Sequence, residues 1–518
     1  MSLIRSLFTV GGLTGISRIL GFLRDILIAG VIGTGPVADA FFVAFRFPNF
    51  FRRLFAEGAF NAAFVPLFAR HLESEGRAAA QAYAEAVLAV LLTALLALTG
   101  VVVLAMPWLM VVLAPGFTGD PAKFDLAAQL TRLTFPYLLF MALVALYGSI
   151  LNSLYKFAAF AAAPILLNIF FIAALVGAIP LFGMPGPILA WTVTLSGIAQ
   201  FLLMVWVTHR AGFKLRLPRP RLTPGVRRTL RLMGPGVMSA GALQLNLVVG
   251  TIIASWQDGA VSYLYYADRL YQLPLGLIGI AFGVVLLPEL SRKLRAGADE
   301  AAMTSLNRGL ELAMLLSLPA AVALAVIPQP LIAVLFERGA FDATATSATA
   351  QALAAFALGV PAYVLVKILQ PAFYAREDTM RPFKAAATGV AANIALSLAL
   401  FTAMGHVGIA LATAVAAWLN SGLLALWLWR AGYLRLDARS QRRLPRILLA
   451  STVMGGALFA AHRAWLMPWF DAGPVWAIPA LALLVAGGAT LYGGLALVLG
   501  AAGMADLRAL TRRRTKAA

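Results

Sequence analysis

The chain has 518 residues, 61% of them hydrophobic and only 12% charged, with a mean hydropathy of +0.87. Soluble domains run near 45–50% apolar, so this composition excludes a soluble globular protein and indicates an integral membrane protein. The formal charge of +20 does not indicate nucleic-acid binding, because the basic residues lie mainly between apolar segments, and the absence of cysteine excludes disulfides and thiolate chemistry.

About 20 apolar residues cross a bilayer as a helix. On that length the chain divides into about fourteen spans, near 7–33, 36–68, 82–113, 126–151, 158–180, 187–209, 228–256, 260–290, 303–336, 345–373, 382–404, 407–430, 445–467 and 474–502. The first run is too long for a signal peptide and carries two arginines, so it reads as a retained helix. The second is over-long, and Pro48 within it predicts a bend. Arginine and lysine concentrate in alternate loops: Arg70 and Arg77, Lys156, Arg210 to Arg231, Arg292 to Arg295, Arg376 to Lys384, Arg430 to Arg446 and the tail from Arg508. The other loops hold little beyond Lys123, Arg338 and Arg463. By the positive-inside rule both termini are cytoplasmic, which fits an even number of spans.

The chain also resembles itself at an offset of about 220 residues. Arg210-Ala211-Gly212-Phe213 recurs as Arg430-Ala431-Gly432-Tyr433, and Ala59-Phe60 through Pro66 to Arg70 recurs as Ala281-Phe282 through Pro288 to Arg292. Pro115-Gly116-Phe117 echoes Gly339-Ala340-Phe341, and Pro136 echoes Pro361. Six spans per repeat is an even number, so the repeats are parallel, the arrangement of two lobes around a transporter cavity. The expected organisation is an N-terminal lobe over 1–222, a C-terminal lobe over 223–440, and two added helices with a basic tail over 441–518.

Arginine inside the spans is the feature that points to function. Arg18 and Arg24 lie within the first span, Arg46, Arg52 and Arg53 within the second, and Arg269 within the eighth. A guanidinium at bilayer depth costs roughly 2.5–3.5 kcal/mol or more, so such residues face a wet path or a partner. A cavity lined with arginine suits an anion, and the guanidinium fork matches phosphate oxygens. Nearby acids are Asp25, seven residues after Arg18 and on nearly the same helix face, Asp39, Glu57 and Asp268. Asp39, Arg46 and Arg53 recur every seven residues, and Glu57 stands at i+4 from Arg53, a spacing that predicts a pair. Structural ion pairing between helices is the competing reading for Arg46, Arg53 and Glu57. Lys367 is divided evenly between the cavity and the membrane interface. The scattered histidines (His71, His209, His406, His462) do not suggest a metal cluster. The chain has neither a G-x-x-x-x-G-K-[ST] loop nor a G-x-S-x-G elbow, so it does not read as an enzyme.

Particular motifs carry a resemblance. Gly15-Ile16-Ser17-Arg18-Ile19-Leu20-Gly21-Phe22-Leu23-Arg24-Asp25, Asp39-Ala40-Phe41, Arg46-Phe47-Pro48-Asn49 and Arg52-Arg53-Leu54-Phe55-Ala56-Glu57-Gly58-Ala59 resemble the first two helices of the MurJ/MviN family of bacterial lipid II flippases. Tyr265-Tyr266-Ala267-Asp268-Arg269-Leu270 and Phe373-Tyr374-Ala375-Arg376 resemble later motifs of that family. The resemblance covers essentially the whole chain. It implies the all-α MOP exporter (MATE-like) architecture, with two six-helix lobes around a central cavity and two added helices forming a groove for the lipid tail.

By matching position, the resemblance assigns Arg18, Arg24, Arg52 and Arg269 as cavity arginines, with Asn49 and Arg53 beside them. Asp25, Asp39, Glu57 and Asp268 are the supporting acids. The implied activity is movement of lipid II from the cytoplasmic to the periplasmic leaflet of the inner membrane, in peptidoglycan biosynthesis. Its partners are lipid II, membrane lipids and peptidoglycan synthases. No cofactor is expected, and coupling is to membrane potential or a monovalent ion. Some members carry an acidic sodium site in the C-terminal lobe, whereas this chain offers Asn246 and Asn393 in the seventh and eleventh helices. The alternatives are a flippase for another polyprenyl-pyrophosphate-linked oligosaccharide, a MATE-like multidrug antiporter, and a non-transporting cell-wall scaffold.

Overall fold

Prolines stand beside several of the breaks between these helices and inside others that continue. A computed structural model describes residues 3–54 and 60–503, with side chains at all of these except 3–8, 54, 235–245, 277–285, 471 and 474. Every regular element among the described residues is helical, apart from one isolated bridge between Arg338 and Phe341. Contacts divide the chain into two compact units, Met1–Ser262 with Arg338–Phe341, and Tyr263–Glu337 with Asp342–Ala518.

The first unit holds α1 (Leu3–Ile32), α2 (Pro36–Leu54), α3 (Phe60–Ser74), α4 (Arg77–Leu104), α5 (Met106–Leu113), α6 (Pro121–Thr134), α7 (Tyr137–Ser153), α8 (Ala158–Ala173), α9 (Ile179–Phe182), α10 (Pro185–Arg210) and α11 (Pro224–Ala254). A π-helical turn, Ala174–Ala178, joins α8 to α9. α12 (Ala260–Arg295) begins at the edge of this unit. The second unit continues with α13 (Asp299–Val326), α14 (Pro328–Phe336), α15 (Ala343–Ala357), α16 (Val360–Tyr374), α17 (Met380–Met404), α18 (His406–Arg430), α19 (Ala438–Ala461), α20 (Met467–Asp471) and α21 (Pro474–Val498).

Ten segments among the described residues are long and apolar enough to cross a membrane. They cover the third to sixth and the ninth to fourteenth expected spans. α1 and α2 stand outside that set because Arg18, Arg24 and Asp25, or Asp39, Arg46, Arg52 and Arg53, raise their charge. Several expected spans are two helices in series. The one over 36–68 is described as α2 and α3, the one over 82–113 divides at Ala105, and those over 126–151 and 345–373 divide beside Pro136 and Pro361. α11, which the repeat assigns to the second half, packs against α2, α3 and α4 of the first unit. Arg46 donates to Thr251 at 2.8 Å, and the Tyr83 and Thr229 hydroxyls lie 2.6 Å apart.

A proline at position i donates no hydrogen bond to the carbonyl at i−4, and inside a bilayer no water replaces it. At three prolines a side chain from a neighbouring helix does so. Pro48 leaves the Ala44 carbonyl without its helical donor, and Thr134 Oγ1 of α6 donates to it at 2.8 Å. Pro107 frees the Val103 carbonyl, which accepts from Arg132 Nε at 3.1 Å. Pro319 frees Leu315, which accepts from Tyr492 of α21 at 2.7 Å. α2 therefore runs on through Pro48 to Leu54.

The internal repeat has a structural counterpart. The carbonyl three residues before Pro136, that of Leu133, accepts from Thr194 at 2.5 Å, and the one three before Pro361, that of Leu358, accepts from Trp418 Nε1 at 2.8 Å. The matched Phe117 and Phe341 are both 1% exposed. Their companion glycines meet equivalent helix ends. A Cβ on Gly116 would lie 2.2 Å from the Ser255 carbonyl oxygen, just after α11. One on Gly339, at φ +57°, would lie 2.2 Å from the Gly30 oxygen in α1.

Thr134→Val should lower the thermal midpoint in detergent, by a loss of about 1–3 kcal/mol for a buried carbonyl left unpaired. Adding Pro48→Ala, which restores a backbone N–H to that carbonyl, should recover most of it. Equal midpoints for Thr134→Val and the parent would show that this bond does not hold α2 together.

Candidate functional site

Arg24 is only 7% exposed on α1. Its Nε and Nη2 donate to Asp25 Oδ1 at 3.0 and 2.8 Å, and its Nη1 donates to Asn168 Oδ1 of α8 at 3.0 Å. Asn168 is held in turn, since its Nδ2 donates to the Ser17 carbonyl at 2.9 Å. The guanidinium lies 5.4 Å from the centre of the Phe171 ring, within cation–π range. Asn168 and Phe171 are three residues apart on α8, so one helix face supplies both contacts. Spacing alone aligned Asp25 with Arg18. Asp25 pairs with Arg24 instead, because both are buried together while Arg18 is exposed.

On α2, Asn49 and Arg52 form a second pair. Arg52 Nε donates to Asn49 Oδ1 at 3.0 Å, and Asn49 Nδ2 donates to the Phe45 carbonyl at 2.7 Å. Arg52 also borders an internal cavity of the first unit. Arg53 is exposed, and Glu57, its expected partner, lies outside the described residues.

Asp39 departs from its expected role beside the arginines. It is fully buried, and its ion-pair partner is Lys123, itself 3% exposed, at 2.9 Å. The same carboxylate accepts from the backbone N–H of Gly259 at 2.9 Å and of Ser262 at 3.0 Å, and from the Ser262 hydroxyl at 2.6 Å. Gly259 immediately precedes α12 and Ser262 is its third residue, so Asp39 caps that helix, and a carboxylate there also suits the helix dipole. Lys123 reaches the exposed Asp258 as well, at 2.9 Å, and lies 4.4 Å from the centre of the Phe117 ring. Lys123 read as an ordinary loop charge in sequence. Its isolation in a charge-poor loop was the only local hint of burial.

In the second unit Arg269 lies 4.5 Å from the centre of the Tyr265 ring, one turn earlier on α12. Its neighbour Asp268 accepts from Gln272. Lys367 is exposed on α16. Among the described residues no group of three or more His, Cys, Asp or Glu is arranged to hold a metal ion. The chemistry available is therefore cationic and hydrogen-bonding, suited to holding an anion.

A family model described as lipid II flippase MurJ matches residues 28–477. A protein of Rhizobium tropici named probable lipid II flippase MurJ is 46% identical over 471 residues, covering 90% of this chain and 88% of that protein. A solved structure titled lipid II flippase MurJ, inward closed conformation, superposes with a TM-score of 0.78 at 25% identity, covering 97% of this chain and 99% of the other. An inward-facing MATE family multidrug transporter of the MOP superfamily superposes with a TM-score of 0.64 over 80% of this chain and 94% of its own. At 15% identity that likeness concerns fold alone.

Lys123→Met should strand the Asp39 carboxylate and cost about 3–5 kcal/mol, the usual penalty for breaking a buried pair from one side. Lys123→Met with Asp39→Asn should regain a large part of that loss. Thermal unfolding in detergent reads both variants, and a double variant no more stable than the single would mean that the pair is not the source of the loss.

Proposed function

The chain belongs to the lipid II flippase MurJ family, a family of transporters and not of enzymes, and from that premise we propose that it carries lipid II from the cytoplasmic to the periplasmic leaflet of the inner membrane by alternating access. Arg24 is the observation that carries the reading. A permanently charged guanidinium is buried on α1, with a carboxylate, an amide and an aromatic ring arranged around it. Burial of this kind inside a membrane protein marks a functional path.

Pyrophosphate can compete with Asp25 for the guanidinium fork, since a planar carboxylate and a tetrahedral phosphate each present two oxygens that accept paired N–H donors. On release Asp25 closes back onto Arg24, so the emptied site is not left with an unpaired buried charge. Arg52, steadied by Asn49, adds a second donor. Arg18 of the first unit and Arg269 of the second are the remaining candidate arginines. The bias of Arg and Lys toward alternate loops supports cytoplasmic termini. Outward passage of an anion runs with an inside-negative potential, at about 2.3 kcal/mol per charge per 100 mV, which can drive release and reset.

Arg24→Ala or Arg52→Ala should abolish growth support in a host depleted of its own flippase, at normal protein levels. Arg24→Lys should fail too, because an ammonium lacks the fork. Loss of one charge-assisted hydrogen-bond pair corresponds to about tenfold or more in headgroup affinity. Full complementation by Arg24→Ala would remove that residue from the site, and unchanged periplasmic exposure of lipid II after depletion would remove the function.

A further inference from the structure

One helix of the second unit turns a polar face outward. α16 closes the segment Ala343–Tyr374, which is long and apolar enough to cross a membrane. Its inner face, with Val364, Ile368, Ala372 and Phe373, is buried in the core of the unit, and Leu365 and Val366 pack against that core. On the opposite face Lys367 and Tyr374 are exposed, and Tyr363 and Gln370 are partly exposed. Steps of four, three and four residues set these positions in one stripe along the helix.

Neighbouring helices expose apolar groups instead. Leu398 of α17, Trp429 of α18 and Leu483 of α21 are exposed, as side chains that meet lipid tails should be. A charged residue within a membrane span faces a wet path or a partner, so the stripe on α16 borders water. Snorkelling to the headgroups would lay the lysine stem along apolar surface, whereas the next residues on this face are Gln370 and Tyr374. Cα–Cβ bonds also tilt toward a helix N-terminus, so Lys367 starts out pointing away from Tyr374, the nearer end of the span.

Two groups of the stripe stand ready for a ligand. Tyr363 is already engaged, its ring stacked 6.0 Å from that of Tyr271 on α12 and its hydroxyl donating to the Thr413 carbonyl at 3.4 Å. Among the described residues the Lys367 ammonium and the Gln370 amide have no hydrogen-bond or ion-pair partner. We infer that Lys367 and Gln370, with Tyr374 beside them, form a subsite for a carboxylate of the peptide carried by lipid II. One compact cation with a neutral donor one turn away suits a singly charged carboxylate. The several oxygens of a pyrophosphate are better matched by guanidinium forks. The inference rests on the lipid II reading and adds to it, since recognition of the peptide falls to α16.

The test compares two lipids on the full-length protein in nanodiscs: lipid II with free peptide carboxylates, and the same lipid with those carboxylates converted to methylamides. The parent chain should prefer the free acid by about tenfold, the scale of one charge-assisted hydrogen bond. Lys367→Gln should bring the two affinities to within about twofold by weakening the acid alone. Lys367→Arg, which keeps the charge, should keep the preference and guards against a folding defect in the first variant. Equal affinity of the parent chain for both lipids would overturn the subsite and leave the flippase reading intact. A preference that survives in Lys367→Gln, or a loss there that is the same for both lipids, would overturn it too. Binding of neither lipid to the parent chain would overturn the flippase reading and the subsite with it.

Discussion

A polar group inside a hydrocarbon layer has to find its partner within the protein, and most of this structure can be followed from that constraint. Prolines cut into long apolar helices, each taking a donor from a carbonyl one turn back. Thr134, Arg132 and Tyr492 are the replies, each reaching from another helix to the orphaned oxygen. These bonds do two things at once. They let a helix such as α2 run through its proline, and they fix the register of the neighbour that supplies the donor.

Charges obey the same constraint at higher cost. Asp39 is tied to Lys123 and to two N–H groups at the start of α12, which makes one carboxylate both ion-pair partner and helix cap. Arg24 is held by Asp25, Asn168 and the Phe171 ring. The two sites differ in what surrounds the charge. Asp39 has three neutral donors and a cation converging on its two oxygens, an arrangement suited to permanence. The contacts of Arg24 include one carboxylate and one amide, and under the proposed function a phosphate takes their place. The two buried charges thus differ in how replaceable their partners are.

The sequence by itself determined that the chain spans a membrane, that its fold is all-helical with an internal repeat, and that arginine on α1 and α2 is the feature to explain. Those conclusions rest on composition, hydropathy and periodicity, which are local properties or simple self-comparisons. The prolines that divide α6 from α7 and α15 from α16 were visible, but the side chains that answer them were not. Only the tertiary structure decided the partners. Lys123 looked like a loop charge until α2 and α6 were side by side. Asp25 looked aligned with Arg18 until burial joined it to Arg24, and the packing of α11 against α2, α3 and α4 had no sign in the sequence. Asn168, an ordinary polar residue in an apolar stretch, carried no signal of its own. Its contacts with Arg24 and Ser17 come from helices brought together across long stretches of chain, and a hydrogen bond of 3 Å is not written in the spacing of either segment that makes it.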